Sequence, residues 1–534
     1  MPFIRTSFAL ATVMTLSGCA SYLPNYKQPE LPVEAIIDGT ANDSILSGKN
    51  SETKAQTVSL KAWQAFFPDS QLQALIKQAL LHNSDLHIAM ANVSEAEGMF
   101  QIQRNEQLPT ISANGGANVS GNSENITGNS DISRNYSANV GWASYEIDFW
   151  GRVRSLKASA LASYFATIAA QRSSKLTVIA STATSYLNWL TAKQKLSLAE
   201  RTLQTRVDSY ELIKLKESIG VASNLDLAQA EVALASVEAQ RAQLIRAVIQ
   251  AQASLALLVG KPTSQVLANS NLEAPLLVEF TTPNKLSAQL ILARPDVISA
   301  EETLRAANAN IGAARAAFLP RIALTVNAGL ASNSLSKLFT SGSDTWSIAP
   351  AISLPIFGGN NKANLKIAKA RNDKALAQYQ KTIKSAFSEI YIELKSRPSR
   401  DIEIAANKRL VKAQTTRLTL AQERYNAGLS SYIEVLDSQQ NLFNAQQSLL
   451  DSQSAKAQST IQLYRSLGGG DGLSNSFRER SAALKRNTKL KKHNDAKQPI
   501  TNKAQDAKAE TTKLENQEQI TPVIAKPKTE SDDQ

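Results

Sequence analysis

An internal repeat constrains this chain more than any other feature of its sequence. The Gly-Val-Ala-Ser sequence at 220–223 returns as Gly-Leu-Ser-Ser at 428–431, and the Val-Gly pair at 259–260 returns as Leu-Gly, each 208 positions later. The Leu-Pro pairs that end at Pro109 and Pro320 lie 211 positions apart. Because near-constant spacing over so long a stretch is the mark of a duplicated unit, the fold of one copy predicts the fold of the other.

Each copy reads as helix, strand, strand, long helix, tight turn and helix. Apolar and polar residues alternate after each Leu-Pro pair, which is the period-2 pattern of β-strands. The predicted segments are outgoing strands from Pro109 and Pro320, polar loops at 120–135 and 331–345, and returning strands at 136–149 and 346–357. The alternation slips between Trp142 and Tyr145, which predicts a β-bulge there.

Two long segments, 153–219 and 360–427, are almost free of Gly and Pro and are predicted to form helices of about 100 Å. The return segment from 224 carries apolar residues at alternating steps of three and four, which predicts coiled-coil packing. The seam positions are Leu227, Ala230, Leu234, Val237, Arg241, Leu244, Val248, Ala251, Leu255 and Leu258. The combined length of helices 224–259 and 296–318 nearly equals that of one long helix, so the two are expected to stack end to end alongside it. Pro398 is expected to kink or break the second long helix.

The N-terminus has the pattern of a targeting signal rather than of a folded element. A short apolar stretch at 8–16 follows Arg5, and the only cysteine of the chain, Cys19, comes after Leu-Ser-Gly. This resembles a bacterial lipobox, which implies a signal peptide at 1–18 and an N-palmitoyl and S-diacylglycerol Cys19. Ala20 after the cysteine, in place of Asp, implies sorting to the outer membrane.

Composition excludes several classes of function. One Cys and three His leave no disulfide framework and no Cys-based zinc site, and a mean hydropathy of −0.23 excludes a multi-span helical membrane protein. No phosphate-binding loop, zinc-protease or hydrolase motif is present, so no enzyme and no cofactor is predicted. Lys and Arg number 58 and Asp and Glu number 46. Because this excess of basic residues is spread along the chain, no nucleic-acid partner is predicted.

The predicted domains follow from these landmarks. They are the signal peptide at 1–18, a lipid-anchored linker at 19–70, the first repeat at 71–270 with a strand pair at 109–149 and a tip near 220, the second repeat at 286–470 with a strand pair at 320–357 and a tip near 428, and a disordered charged tail at 471–534.

Four amphipathic strands cannot close a barrel, and an open sheet edge in a bilayer leaves unpaired backbone groups. Two chains would supply 8 strands and three would supply 12, and about 8 is the smallest usual membrane barrel. The alternative that the pattern leaves open is a four-stranded sheet packed on its own helices outside the membrane.

The chain resembles the TolC/NodT-type outer-membrane efflux lipoproteins. The matching residues are the lipobox, Tyr26-Lys27-Gln28-Pro29, Ala293-Arg294-Pro295-Asp296-Val297, Leu354-Pro355-Ile356-Phe357-Gly358-Gly359, Arg424-Tyr425-Asn426-Ala427-Gly428-Leu429 and Leu467-Gly468-Gly469-Gly470. The resemblance implies an α+β membrane protein in which three chains form a 12-stranded transmembrane β-barrel and long helical hairpins form a periplasmic α-barrel. It also implies a homotrimer in the outer membrane of a Gram-negative bacterium, with a periplasmic adaptor, an inner-membrane pump and outer-membrane lipid as partners.

The turns at 220 and 428 are the candidate functional tips. Gly220 and Gly428 suit helix C-caps, where φ is positive. Ser223 with Asp226, and Ser431 with Glu434, have the spacing of capping boxes that start the return helices.

The resemblance assigns roles to the same turns. Asp437, Glu434, Asp226 and Tyr425 are the candidate pore constriction, and the adaptor-contact candidates are Gly220, Val221, Gly428 and Leu429. Asp437 has Gln229 as its repeat counterpart, so hairpin packing does not itself require an acid there. The alternatives are a purely structural capping role for Asp226 and Glu434, a solvated helix face for Asp437, and buried hairpin packing for Val221 and Leu429. Some relatives carry a basic latch residue where this chain has Ser430.

Two hypotheses for function follow. The first is a passive outer-membrane exit duct of a tripartite efflux or secretion system, with energy supplied by the partner pump. The second is a lipid-anchored periplasmic coiled-coil scaffold or adhesin without a pore.

Overall fold

A computed structural model represents the 534-residue chain. It describes residues 22–30, 32–33, 36–38, 62–121, 132–262, 285–357 and 359–469. These all belong to one unit that ends at Gly472. Cys19, the predicted signal peptide and the predicted tail at 471–534 lie outside the described residues and stay predictions.

The described elements repeat the same order twice, as the sequence predicts. In chain order they are β1 (Ile36–Asp38), α1 (Trp63–Phe66), α2 (Ser70–His82), α3 (Ser84–Asn105), β2 (Ser112–Gly121), β3 (Ile132–Glu146), α4 (Arg152–Ser218), α5 (Asn224–Val259), β4 (Lys285–Ser287), α6 (Pro295–Ala316), β5 (Arg321–Ser332), β6 (Asp344–Ser353), α7 (Asn361–Asn426) and α8 (Tyr432–Ser466). Short 3-10 helices span Ala288–Ala293 and Leu335–Lys337. The predicted combination of long helical hairpins with four long strands is confirmed.

The helices α4 and α7 are the longest elements of the described residues. They contain 67 and 66 residues, which is about 100 Å of helix each. Both α5 and α6 pack along α4, as their combined length predicts, and α8 packs along α7 and also against α4. The order of helices around the hairpins is therefore α5, α4, α8 and α7.

The predicted seam of α5 faces its neighbours. All ten seam positions are buried or half-buried, with Ala230, Val237 and Leu255 the most deeply enclosed. This helix also contains an 18-residue window with a mean hydropathy of 1.4, long and apolar enough to cross a membrane, of which 11% is buried in the single chain. Because α5 forms one arm of a hairpin with α4, we attribute its apolar character to packing rather than to a membrane span.

Of the kink or break expected at Pro398, the break is wrong, since α7 continues as a helix through this residue. Proline has no N–H, so the carbonyl of Leu394 loses its helical hydrogen bond. Ile390 and Leu394, just before the proline, are buried in a cluster that also contains Val297 and Leu463. Packing of the helix just before the lost bond therefore holds it where the local sequence would interrupt it.

The four long strands form one antiparallel sheet in the order β2-β3-β5-β6. The β3–β5 register shifts between Trp142 and Tyr145, and Ser144 has a φ of 52°, so the predicted bulge is confirmed. The Ser144 N–H donates to the Thr325 hydroxyl (3.0 Å) instead of to a strand carbonyl. Strands β2 and β6 are the outer edges, and every one of their residues is exposed.

Candidate functional site at the tips of the helical hairpins

Both hairpins turn through the same backbone motif. Gly220 and Gly428 have φ values of 74° and 71°, and a Cβ added at either would meet nothing within 4 Å. The Val221 N–H donates to the Lys216 carbonyl (2.8 Å), and the Leu429 N–H donates to the Arg424 carbonyl (2.9 Å). These bonds close Schellman motifs, so backbone conformation and not space requires glycine at both turns.

The tips expose apolar side chains to solvent. Val221 is 70% exposed and Leu429 is 71% exposed. Ile219, Leu225 and Ile433 beside them are exposed as well. Of the adaptor-contact candidates, the two apolar ones therefore lie on the outside of the turns, and the alternative that they are buried in hairpin packing is wrong in the single chain.

The first turn contains the predicted capping box. The Ser223 hydroxyl accepts a hydrogen bond from the Asp226 N–H (3.1 Å), and the Asp226 carboxylate accepts one from the Ser223 N–H (3.1 Å). Asp226 thus begins α5 by satisfying backbone donors that have no partner in the helix.

The second predicted capping box is wrong. The Ser431 side chain makes no capping hydrogen bond. The turn closes through the backbone instead, where the Glu434 N–H donates to the Ser431 carbonyl (3.2 Å). Glu434 is exposed and has no capping role, and the Ser430 hydroxyl is buried without a hydrogen-bond partner in the described part of the chain.

A shared apolar cluster holds the two hairpins together just above the turns. We call it the tip cluster, and its buried members are Ile213, Ala230, Ala421, Tyr432 and Val435. Half-buried Tyr425 packs on it, with its ring centroid 5.2 Å from that of Tyr432. The Lys216 ammonium lies 4.8 Å from the Tyr425 ring centroid, a cation–π distance. Burial raises the pKa of Tyr432, so its hydroxyl stays neutral.

Asp437 is not an isolated acid. Its carboxylate forms an ion pair with Arg417 at 2.5 Å, and both side chains are about half exposed, at 54% and 50%. The sequence reasoning missed Arg417, although it precedes Gly428 by nearly as many residues as Asp437 follows it, which places the two side by side in an antiparallel hairpin. The repeat counterparts are Ser209 and Gln229, so the first hairpin has no such pair.

A second feature concerns the N-terminal segment at 22–28, which lies along α6. A Cβ added to Gly312 would come within 2.9 Å of the Leu23 Cα and 3.2 Å of the Tyr22 carbonyl oxygen, so only glycine permits this backbone approach. Asn308 donates to the Pro24 carbonyl (3.3 Å).

Tyr26 is the best anchored residue of this segment. The Arg305 guanidinium lies 4.7 Å from its ring centroid, and its hydroxyl lies 3.5 Å from the Glu301 carboxylate. Burial and then the Glu301 charge raise the pKa of the Tyr26 hydroxyl. The chain is therefore tied to α6 a few residues after Cys19.

Comparison with known proteins identifies the class. The family model described as outer membrane efflux protein matches residues 75–261 and 286–469. The chain is 40% identical to the solvent efflux pump outer membrane protein SrpC of Pseudomonas putida over 468 residues, which is 87% of this chain and 98% of the relative. It is 35% identical to the cation efflux system protein CusC of Escherichia coli K12 over 462 residues, 86% of this chain and 97% of the relative.

Solved structures agree with the sequence relatives. The MtrE outer membrane channel of Neisseria gonorrhoeae, in its open state, superposes with a TM-score of 0.74 at 35% identity, covering 84% of this chain and 98% of that one. The CmeC outer membrane channel of Campylobacter jejuni superposes with a TM-score of 0.78 at 26% identity, covering 86% and 98%.

The fold and its tips define an outer-membrane channel protein. The chain belongs to the outer membrane efflux protein family. It is a transport conduit, the exit duct of an efflux system, and not an enzyme.

Proposed function

We propose that this chain is the passive exit duct of a tripartite efflux system, through which a partner inner-membrane pump expels small molecules across the outer membrane. The observation that carries the proposal is the pair of free edge strands of the four-stranded sheet, β2 and β6, whose residues are all exposed. Relatives named for solvent, toluene, antibiotic and cation efflux support small solutes such as drugs as the cargo class.

Three copies close the barrel in this proposal. The two free edges of one sheet are complementary, since antiparallel pairing of β6 with β2 of the next copy leaves no unpaired backbone row. Three sheets of four strands give 12 strands, within the range of membrane barrels. The exposed apolar residues of α5, among them Val232 (70% exposed) and Leu257 (81% exposed), support packing of this helix against a neighbouring copy.

The tips serve two purposes in the proposed assembly. Val221 and Leu429, with Gly220 and Gly428 at the turns, offer an apolar contact for a periplasmic adaptor. The constriction is formed by Asp437, Glu434, Asp226 and Tyr425. Because Arg417 neutralises Asp437 within one chain, three copies of Asp437 can converge on the axis with less mutual repulsion than three bare carboxylates would have.

The first described residues lie at the strand end of α6, which supports the proposed lipid anchor. Tyr22 contacts Gly312, close to the end of α6 and the start of β5. Cys19 is three residues earlier, a reach of about 10 Å. An N-palmitoyl, S-diacylglycerol Cys19 would therefore enter the leaflet beside the barrel, which supports a lipid-anchored protein of a Gram-negative outer membrane.

Reconstitution tests the proposal directly. Purified full-length protein inserted in planar bilayers should give stepwise conductance, and it should migrate as an oligomer on unheated gels that heating converts to monomer. Deleting the gene should raise drug accumulation in cells to the level seen on deleting the partner pump. A monomer in detergent without conductance would instead support a periplasmic scaffold.

A further inference from the structure

A small cavity lies in the seam between the two hairpins, where α4 passes α8. Its volume is about 220 Å³, and the polar residues of its lining are Arg201, Thr202, Thr205, Arg206, Gln439 and Gln446. It lies between the tip cluster and a second apolar cluster formed by Leu198, Ala199 and Phe443. The seam is thus apolar above and below and interrupted by a polar pocket.

Arg206 is buried in this pocket without a carboxylate. The residue is only 2% exposed, and its Nε has no hydrogen-bond partner within the described ranges. One terminal nitrogen donates to the Gln439 side-chain oxygen, which is a neutral acceptor. No Asp or Glu of the described chain lines the cavity. Burial lowers the pKa of Arg206, since a guanidinium out of water without an opposite charge is unfavourable.

Two further polar side chains of the cavity are also suited to an anion. Arg201 brings a second guanidinium, and this residue is exposed to solvent at the mouth of the pocket. Because the Gln439 oxygen already accepts from Arg206, its amide nitrogen remains as a donor. Guanidinium groups bind carboxylate and phosphate through paired hydrogen bonds that match their planar geometry.

The internal repeat shows that hairpin packing does not require this charge. The position equivalent to Arg206 in the second repeat is the half-buried Gln414, a neutral residue on a helix that is one residue shorter. A buried cation that the architecture can replace by glutamine indicates a role in binding rather than in folding.

We propose that the cavity between α4 and α8 is an oxyanion site, in which a carboxylate or phosphate group binds to Arg206 and Arg201 of α4 and to the Gln439 amide of α8, and so clamps the two hairpins together above their tips. The site does not depend on the proposed transport function, since it lies within one chain. A bound oxyanion supplies the charge that Arg206 lacks and joins α4 to α8 across the seam.

Calorimetric titration of the full-length protein in detergent with sodium phosphate, at constant ionic strength against sodium chloride, tests the site. We expect saturable binding to the unmodified protein and a higher thermal unfolding midpoint in phosphate than in chloride. Arg206→Gln, which installs the residue found at the equivalent position of the second repeat, should weaken binding roughly tenfold or more, as for loss of a hydrogen bond to a charged group.

Further variants keep the test decisive. Arg201→Gln, at an exposed position that does not endanger folding, should weaken binding several-fold, whereas Arg246→Gln on the exposed face of α5 should leave it unchanged. A parallel titration with sodium acetate shows whether the site prefers a carboxylate or a phosphate group. Stronger binding of acetate supports a carboxylate such as an acidic side chain of a partner protein, and stronger binding of phosphate supports a free ion.

Two results would overturn the proposal. One is no saturable phosphate or acetate binding to the unmodified protein. The other is equal binding to the unmodified protein and to Arg201→Gln and Arg206→Gln, which would show nonspecific attraction. Should Arg206→Gln fail to fold, the phosphate affinities of Arg201→Gln and Arg246→Gln still test the site, since only the first should be weakened.

Discussion

The two hairpin tips share one backbone and differ in their side-chain chemistry. Gly220 and Gly428 adopt the same left-handed turn, yet only the first turn has a capping box. Only the second carries the Arg417–Asp437 ion pair. Duplication thus preserved the part that makes a hairpin, whereas the exposed charges diverged and became available for a function at the tip.

The largest expected difference between the tips concerns the tip cluster. Tyr432 is 4% exposed, whereas its repeat counterpart Asn224 is exposed. Tyr432→Ala should lower the free energy of unfolding by about 3 kcal/mol, because it leaves a cavity in a packed cluster. Asn224→Ala should change it by less than about 0.5 kcal/mol. Thermal denaturation in detergent measures both, and equal losses would contradict the asymmetry.

The turn glycines should behave alike in the two repeats. Gly220→Ala and Gly428→Ala should each cost about 1–2 kcal/mol, because an L-residue is strained at positive φ although space is available. Gly98→Ala is the matched control, since Gly98 lies within α3 with open space around it. That change should stabilise by about 0.5–1 kcal/mol. Denaturation midpoints of the three variants decide, and a neutral Gly428→Ala would argue against the observed turn.

Cap removal should distinguish the turns again. Ser223→Ala removes the hydroxyl that accepts from the Asp226 N–H and should cost about 1 kcal/mol. Ser431→Ala removes no capping bond and should be close to neutral. The same denaturation assay applies, and a comparable loss at Ser431 would mean that the second box forms after all.

The exposed ion pair should affect conductance more than stability. Asp437→Asn and Arg417→Gln should each change the free energy of unfolding by less than about 1 kcal/mol, as for exposed pairs. In bilayers, Asp437→Asn should lower cation selectivity and Arg417→Gln should raise it, because the second change leaves the acid uncompensated. Gln229→Asp adds an acid without an arginine partner, so this change should also raise cation selectivity. Reversal potentials measured in a salt gradient test this, and unchanged values would remove Asp437 from the constriction.

Features governed by local spacing were predictable. The strand bulge between Trp142 and Tyr145, the seam of α5 and the glycine turns each follow from a period or from a backbone requirement that a few neighbouring residues express. The spacing of Arg417 and Asp437 about Gly428 could have placed the two residues side by side, but only the structure shows that their side chains meet. The missing cap at Ser431 was not predictable, because both turns carry the same Ser-x-x-acid spacing. The intact helix at Pro398 was not predictable, because it depends on packing against other elements that the local sequence does not specify.

The sequence by itself determined the repeat, the helix and strand periods and the residues that turn the chain, since all of these arise from short-range sterics and from hydrophobic periodicity. Tertiary structure alone decided which side chains meet across helices. It placed Asp437 against Arg417, brought Tyr22 and Leu23 onto Gly312 and buried Arg206 between the hairpins. The physical reason is that the energy of a charge or a close contact depends on groups distant in sequence, whose approach is set by the packing of whole helices.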